Sequence, residues 1–299
     1  MMSTPVERLT DGDRQALLRS MLLSRALDDE AIALAAMSRL DLWLSCRGQE
    51  PIQVAAALAF EKATIVPSFR EHALAFTRGI CPTDVCGVWA GRNFSGWDAV
   101  KHRFFPYTLV LAAQCHHGVG YALGRRLLGD PTTVVICLGD GATSEGEASE
   151  ALNLAAVEHA PVIFLVMNNG WALSKPTHEQ MAASMEDRAR GFGIASASVD
   201  GLDPEASLLA ARRAFAHVQS GRGPYLLEAH VVRVHGHASS DDQHRYRSIE
   251  QIAAAADKDP VPAYRDRLLG ECVVDAAWLD EVAGEAALLR AQMVEEFSR

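Results

Sequence analysis

Two uninterrupted apolar runs stand in the middle of the chain, Val134-Val135-Ile136-Cys137-Leu138 and Val162-Ile163-Phe164-Leu165-Val166-Met167. Each has the length and composition of a buried strand. Between them, from about Ser144 to Ala160, alanine, leucine and glutamate dominate and no glycine follows Gly146, which is a helix composition. Strand, helix and strand of these lengths predict a right-handed crossover with the two strands parallel.

The same reading extends along the chain. Apolar residues recur near a helical period from Thr10 to about Leu40 (Leu17, Met21, Leu27, Ile32, Ala35), with Thr10 or Asp11 as N-cap. A second helix follows Gln49-Glu50 through Phe60, a short strand spans Thr64 to Pro67, and residues 82–90 read as helical. Phe94 to Tyr107 reads as a loop. Leu109 to Leu128 is helical and rich in small residues (Gly118, Gly120, Ala122, Gly124), suited to lying close against a sheet. Strands follow near Ala195–Val199 and Tyr225–Val234, flanking a helix from about Pro204 to Ser220. An amphipathic helix closes the chain from Asp275 to Phe297. The fold class is α/β: a mostly parallel sheet with helices on both faces, residues 1–299 forming one domain with an N-terminal helical extension and a C-terminal helix.

The ends of the central crossover carry the chemistry. Gly139-Asp140-Gly141 follows the first apolar run and Asn168-Asn169 the second, with Asn169 twenty-nine residues beyond Asp140. A helix of about fourteen residues rises roughly 21 Å, and a six-residue strand climbs back roughly 20 Å. The crossover therefore brings Asn169 beside Asp140 at the carboxyl edge of the sheet, where open α/β folds bind ligands. A carboxylate, a side-chain amide and the glycine-exposed backbone of a helix N-terminus suit a hard divalent cation bridging a diphosphate. Each piece taken alone also reads as an ordinary turn; the spacing sets the pair apart.

Composition narrows the classes. The 299 residues carry 28 Lys and Arg against 38 Asp and Glu, a net charge of −10. That balance argues against nucleic acid or an anionic membrane as partner. No run of about eighteen apolar residues appears, and the first residues, MMSTPVERLTDGDR, have no apolar signal core, so a cytoplasmic location is expected. Six scattered cysteines (46, 81, 86, 115, 137, 272) form no Cys-x-x-Cys pair and read as reduced thiols.

The Gly-Asp-Gly…Asn-Asn pair resembles the thiamine diphosphate signature, and the chain is similar along nearly its whole length to the alpha subunit of thiamine diphosphate-dependent 2-oxoacid dehydrogenases (the pyruvate, branched-chain and acetoin decarboxylase components). The likeness rests also on Arg47-Gly48-Gln49-Glu50, Phe69-Arg70-Glu71-His72, Asn169-Gly170-Trp171-Ala172-Leu173-Ser174 and the run HGHASSDDQHRYRS from His235 to Ser248. The last run, with Lys175-Pro176-Thr177-His178-Glu179-Gln180, is nearest to the branched-chain type.

The resemblance implies thiamine diphosphate and Mg²⁺ as cofactors. It makes Asp140, Asn169 and the backbone carbonyl of Trp171 the metal ligands. Phe69, Arg70, Leu111, Gly139, Gly141, Ala142, Leu173 and His237 join them around the cofactor. Arg70 would clamp a terminal phosphate, against the commoner alternative of a surface salt bridge with Glu71. Leu111 would support the bent cofactor and Leu173 line the cavity. His237 would contact the phosphates near the reacting centre and serve as the catalytic proton donor. Asp241, Asp242, Arg245, Tyr246 and Arg247 would tie down their loop, a polar segment expected to be mobile until cofactor orders it. Glu145, Glu147, Glu150 and Glu158 read as helix-surface charges, and His116-His117 as either funnel or packing residues.

Thiamine catalysis also needs a carboxylate at the cofactor's pyrimidine ring, which the family places on a beta chain. The expectation is an α2β2 assembly that decarboxylates a branched-chain or pyruvate-like 2-oxoacid and passes the acyl unit to a lipoyl acyltransferase or an acyl carrier protein. Three departures stand out. The segment Phe94 to Arg103 is shorter than the family's glycine-rich stretch, the phosphorylatable loop serine of some relatives aligns with Ala238, and a phosphate-facing arginine is replaced by Met167. The shortened segment keeps open a two-subunit transketolase-like enzyme moving a two-carbon unit, with Lys101, His102 and Arg103 gripping a sugar phosphate. A non-catalytic paralogue that binds a partner with the same fold is the third reading.

Overall fold

The computed structural model describes residues 8–92 and 96–298. Five strands make one parallel sheet: β1 (Thr64–Val66), β2 (Val134–Gly139), β3 (Val162–Asn168), β6 (Ala195–Asp200) and β7 (Tyr225–His230), in the order β1-β2-β3-β7-β6. A small antiparallel hairpin, β4 (Trp171–Ala172) and β5 (Lys175–Pro176), follows β3 directly. The helices, in chain order, are α1 (Asp11–Ala36), α2 (Glu50–Ala59), α3 (His72–Thr77), α4 (Pro82–Trp89), α5 (Ala99–His102), α6 (Ala113–Leu127), α7 (Gly146–Val157), α8 (Met185–Gly191), α9 (Pro204–Gln219), α10 (Ile249–Ala256), α11 (Pro260–Gly270) and α12 (Ala276–Phe297).

The uninterrupted apolar runs have their explanation in the two faces of the sheet. Val135, Cys137, Ile163, Leu165 and Met167 pack with residues of α1, α2, α9 and α12 on one side. Val134, Ile136, Leu138, Phe164 and Val166 pack with α6, α7 and α8 on the other. Alternate side chains of a strand point to opposite faces, so a sheet covered on both has no polar position to spare. The β2–α7–β3 crossover forms as the sequence predicts, with Gly139 beside Met167 in parallel register.

Differences from the sequence reading have local causes. The first helix stops at Ala36, ahead of Leu40, because Ser38 turns the chain into the left-handed region at φ 56°. The strand predicted to Val234 ends at His230, since β3 ends at Asn168 and β6 at Asp200 and leave it no neighbour to pair with. The helix predicted from Leu109 begins at Ala113, after Ala112 at φ 62°. Of its small residues only Gly118 and Ala122 face the sheet. A Cβ on Gly118 would lie 2.4 Å from Ile136, whereas Gly120 and Gly124 meet nothing within 4 Å.

The segment read as a loop from Phe94 to Tyr107 holds α5, capped by the Asp98 carboxylate, although Phe94 and Ser95 lie outside the described residues. Trp97 is buried, donates Nε1–H to the Phe104 carbonyl at 2.8 Å, and packs edge-on against Phe104 and Tyr107. Trp97 thus anchors this stretch to the core, while the residues of α5 stay at the surface. Tyr107 in turn touches His72, which stacks on Trp43 with ring centroids 4.1 Å apart.

Candidate active site

Because all five strands are parallel, their carboxyl ends share one edge, and a cavity of about 520 Å³ opens there. Its wall comes from the chain after β1 (Ser68 to Glu71), the turn before α6 (Leu109, Leu111) and the turn after β2 (Gly139 to Ala142). The end of β3 with its hairpin (Met167, Asn169, Trp171 to Leu173) and the loop beyond β7 (His237, Ala238, Ser240) complete it. All eleven residues singled out from the sequence, Phe69, Arg70, Leu111, Gly139, Asp140, Gly141, Ala142, Asn169, Trp171, Leu173 and His237, line this one cavity. His116 and His117 do not, and the four glutamates of α7 and its ends are exposed.

Asp140 is almost wholly buried, and among the described residues it has no ion pair. Thr177, from the turn after the hairpin, donates its hydroxyl to Oδ2 at 2.5 Å. Burial pushes the Asp140 carboxyl above its usual range, opposed by the Thr177 bond and by the charge of Arg233. A buried carboxylate without a cationic partner is a natural cation ligand. The asparagine pair divides its work. Asn168 accepts from the Gly170 N–H at 3.0 Å and donates to Glu228 at 2.8 Å, away from the cavity, whereas Asn169 faces it and accepts from the Trp171 N–H at 3.1 Å. Both are thus Asx turns, as the turn reading has it, and Asn169 also lines the cavity. Gly141 is a glycine because a Cβ there would sit 2.9 Å from the Ala172 Cβ; the hairpin lies against the Gly-Asp-Gly turn.

Arg70 is buried and makes no salt bridge with Glu71. Its guanidinium donates to the carbonyls of Ser45 at 2.8 Å and His237 at 2.9 Å. The Glu71 carboxylate instead accepts the Ser68 hydroxyl at 3.0 Å and the Arg70 backbone N–H at 3.3 Å. Burial first, then the nearby charge of Arg233, push the guanidinium down to about 10. Burial also pushes the Glu71 carboxyl up. His237 packs edge-on against Phe69, and burial with the charges of Arg70 and Arg233 drives its imidazole down to about 4. His237 is therefore neutral at pH 7, a hydrogen-bonding group more than a ready acid.

The loop expected to be mobile has its own anchors. Asp241 accepts the His237 N–H at 2.7 Å and the Tyr246 hydroxyl. The buried Arg233 reaches the Leu173 carbonyl and the Tyr246 hydroxyl, both at 2.9 Å. Arg247 donates to the Arg233 carbonyl at 2.9 Å and lies over the Trp171 ring, while the Ser239 N–H reaches the Trp43 carbonyl at 2.7 Å. Asp242 caps a single turn at His244, and the Arg245 side chain takes no part in these ties. The loop is held by bonds between its own residues and by the segment 43–45, contacts that polarity alone does not reveal.

Thr177, Gln49, Ser68, Glu71 and Arg233 were not foreseen as site residues. Glu71 had a signal in its place beside Phe69-Arg70. Thr177 stands in the Lys175 to Gln180 stretch that carries the resemblance, but nothing there pointed to a carboxylate 37 residues away. Lys101, His102 and Arg103, considered for a sugar phosphate, line a separate depression with Arg78 and do not reach the cavity. No helix among the described residues is long and apolar enough to cross a membrane.

With this geometry in view, comparison with known proteins is specific. Residues 18–296 match the family described as dehydrogenase E1 component, and the chain belongs to that family. More particularly, it is similar to the 3-methyl-2-oxobutanoate dehydrogenase subunit alpha of Mycobacterium tuberculosis, 37% identical over 279 residues, 93% of this chain and 76% of the relative. The 2-oxoisovalerate dehydrogenase subunit alpha of Bacillus subtilis is 30% identical over 92% of this chain and 88% of its own length. The pyruvate dehydrogenase E1 component subunit alpha of the same organism is 32% identical over 86% of this chain and 70% of its own. These matches bear out the resemblance to alpha subunits of thiamine diphosphate-dependent 2-oxoacid dehydrogenases.

Proposed function

We propose that this chain is the diphosphate-binding subunit of an α2β2 enzyme that decarboxylates a branched-chain or pyruvate-like 2-oxoacid. The acyl unit passes to a lipoyl carrier. The observation that carries the reading is the convergence of eleven residues, scattered over 169 positions from Phe69 to His237, on one cavity.

Thiamine diphosphate supplies the electron sink for the decarboxylation. The residues of this chain hold its diphosphate end. Asp140, Asn169 and the Trp171 carbonyl would supply oxygen ligands for Mg²⁺, the ligand type that cation prefers. Arg70 and His237, already joined through the His237 carbonyl, line the same cavity and would contact the phosphates. Leu111 and Leu173, both partly exposed at the cavity, give apolar surface to the rings. His237 would gain a proton-holding role only with negative charge close by, since such charge raises an imidazole pKa and would oppose the burial and the charges of Arg70 and Arg233 that now lower it. The beta subunit contributes the carboxylate that activates the cofactor.

The test is to co-express the chain with its beta subunit and supply thiamine diphosphate and Mg²⁺. Dye reduction is then measured with 2-oxoisovalerate, pyruvate and xylulose 5-phosphate, with Asp140→Ala as control. Oxidation of a 2-oxoacid, lost in the variant, is the expected result. Consumption of the ketose phosphate alone sinks the reading.

A further inference from the structure

One buried polar group on the cavity wall has no partner. Gln49 is 1% exposed and lines the cavity, yet its Nε2 makes no hydrogen bond. Buried amide groups in folded proteins are almost always paired, so an orphan beside a cavity marks where a ligand atom belongs. Its own helix does not use it. Gln49 is the N-cap of α2, but its side chain makes no capping bond, and Pro51 in the first turn has no N–H to offer it. The neighbouring polar groups are committed elsewhere. Glu50 is held by Arg25 at 2.7 Å and by the Gly48 N–H at 2.6 Å, and Gln53 spans the Arg70 carbonyl and the N–H groups of Ala73 and Leu74.

The surroundings fix the sign of the missing partner. The N-terminus of α2 presents the positive end of its dipole here. Arg70 lines the same cavity and donates to Ser45, four residues before Gln49, so its charge sits against this segment. A donor amide, a helix N-terminus and a guanidinium together select an acceptor oxygen that carries negative charge. Gly48 keeps the segment in place: at φ 88°, its hydrogen faces Val232, where a Cβ would come within 2.6 Å.

We infer that Gln49 donates its side-chain amide to an anionic oxygen in the cavity, and so acts as a binding residue of the site. Resting on the function proposed above, that oxygen has two sources, the terminal phosphate of thiamine diphosphate or the carboxylate of the 2-oxoacid.

Gln49→Met keeps the volume and removes the amide; Gln49→Glu keeps the shape and reverses the preference. Both are made in the chain assembled with its beta subunit. Three quantities are measured: the ligand-free melting temperature, the Kd for thiamine diphosphate at fixed Mg²⁺ from tryptophan fluorescence, and the KM for 2-oxoisovalerate. The methionine variant is expected to melt no lower than wild type, because an unpaired buried donor is gone. It should also weaken one of the two constants by roughly ten- to a hundred-fold, the loss of one hydrogen bond to a charged group. Glutamate should weaken the same constant at least as far, and serves alone should the methionine chain not assemble. A higher cofactor Kd assigns the phosphate; a higher KM at unchanged Kd assigns the carboxylate. Wild-type values of both constants in either folded variant overturn the inference and leave the function standing. A wild-type assembly that binds no thiamine diphosphate overturns both.

Discussion

Thr177 donates its hydroxyl to Asp140 across 37 residues of chain, at 2.5 Å, and among the described residues this is the one side-chain hydrogen bond to the buried carboxylate. The bond crosses from the hairpin side of the cavity to the end of β2. A hydroxyl donor ties the carboxylate down without bringing a positive charge to it.

Removing that bond should therefore loosen the cation site while the fold persists. Thr177→Val keeps the shape and deletes the hydroxyl. Affinity for thiamine diphosphate at limiting Mg²⁺ should fall by at least about ten-fold, the low end of the roughly 1.5–3 kcal/mol for a hydrogen bond to a charged group. Thr177→Ser should restore most of it. Calorimetric titration of the three proteins checks this, and equal affinities would show that Asp140 is oriented by other means.

Asp140→Asn removes the charge and keeps the volume. Magnesium-dependent cofactor affinity should drop by at least a hundred-fold. The ligand-free protein should stay within about 1 kcal/mol of wild type, because the charge being removed is buried and unpaired. Chemical denaturation beside ligand titration separates the two effects.

The approach of α6 to the sheet is set by Gly118. In Gly118→Val the new side chain meets Ile136, and the helix must move out; a cost of about 1–3 kcal/mol follows from overpacking. Adding Ile136→Ala should recover part of that loss. The two changes should then be non-additive in denaturant melts, the signature of direct contact.

His72 makes stability depend on pH. It is fully buried, bonded to Tyr107 at 2.9 Å and to the Leu44 carbonyl at 3.1 Å, and burial with the charge of Arg70 pushes its imidazole down to about 3. The unfolded chain binds this proton below about pH 6.5, and the folded chain does not until near pH 3. Its contribution is thus fully present above pH 6.5 and is lost as the pH falls through that window. Between pH 7 and pH 5 the loss should be roughly 2 kcal/mol. His72→Gln should be less stable at pH 7 and visibly flatter with pH. Urea titrations at both pH values give the comparison.

What the sequence made legible was local. Asp140 and Asn169 are joined by a single strand-helix-strand crossover, so their meeting follows from the rise of two elements. Both strands also advertise their burial on two faces. Phe69, Arg70, Leu111 and His237 came through resemblance, and their partners did not. That Arg70 holds the carbonyls of Ser45 and His237, that Thr177 reaches Asp140, and that Gln49 borders the cavity all depend on segments meeting across the sheet edge. No spacing along the chain encodes those meetings. Trp97 and Phe104 were read as loop because aromatics between prolines look irregular; their burial depends on Tyr107 and on the cluster around His72.

The parallel sheet has a consequence for how the molecule comes into being. Ile65 pairs with Val135, seventy positions away, and Ile163 with Tyr225, sixty-two away, so two of the sheet's ladders must wait for a long loop to close. The cavity draws on chain from Leu42 to Ser240 and has no wall until the last of these pairings is made. A nascent or partly folded chain therefore offers cofactor nothing to hold. Ligand captured by the finished protein will slow global unfolding, because the ends of β1, β2 and β3 together carry its walls.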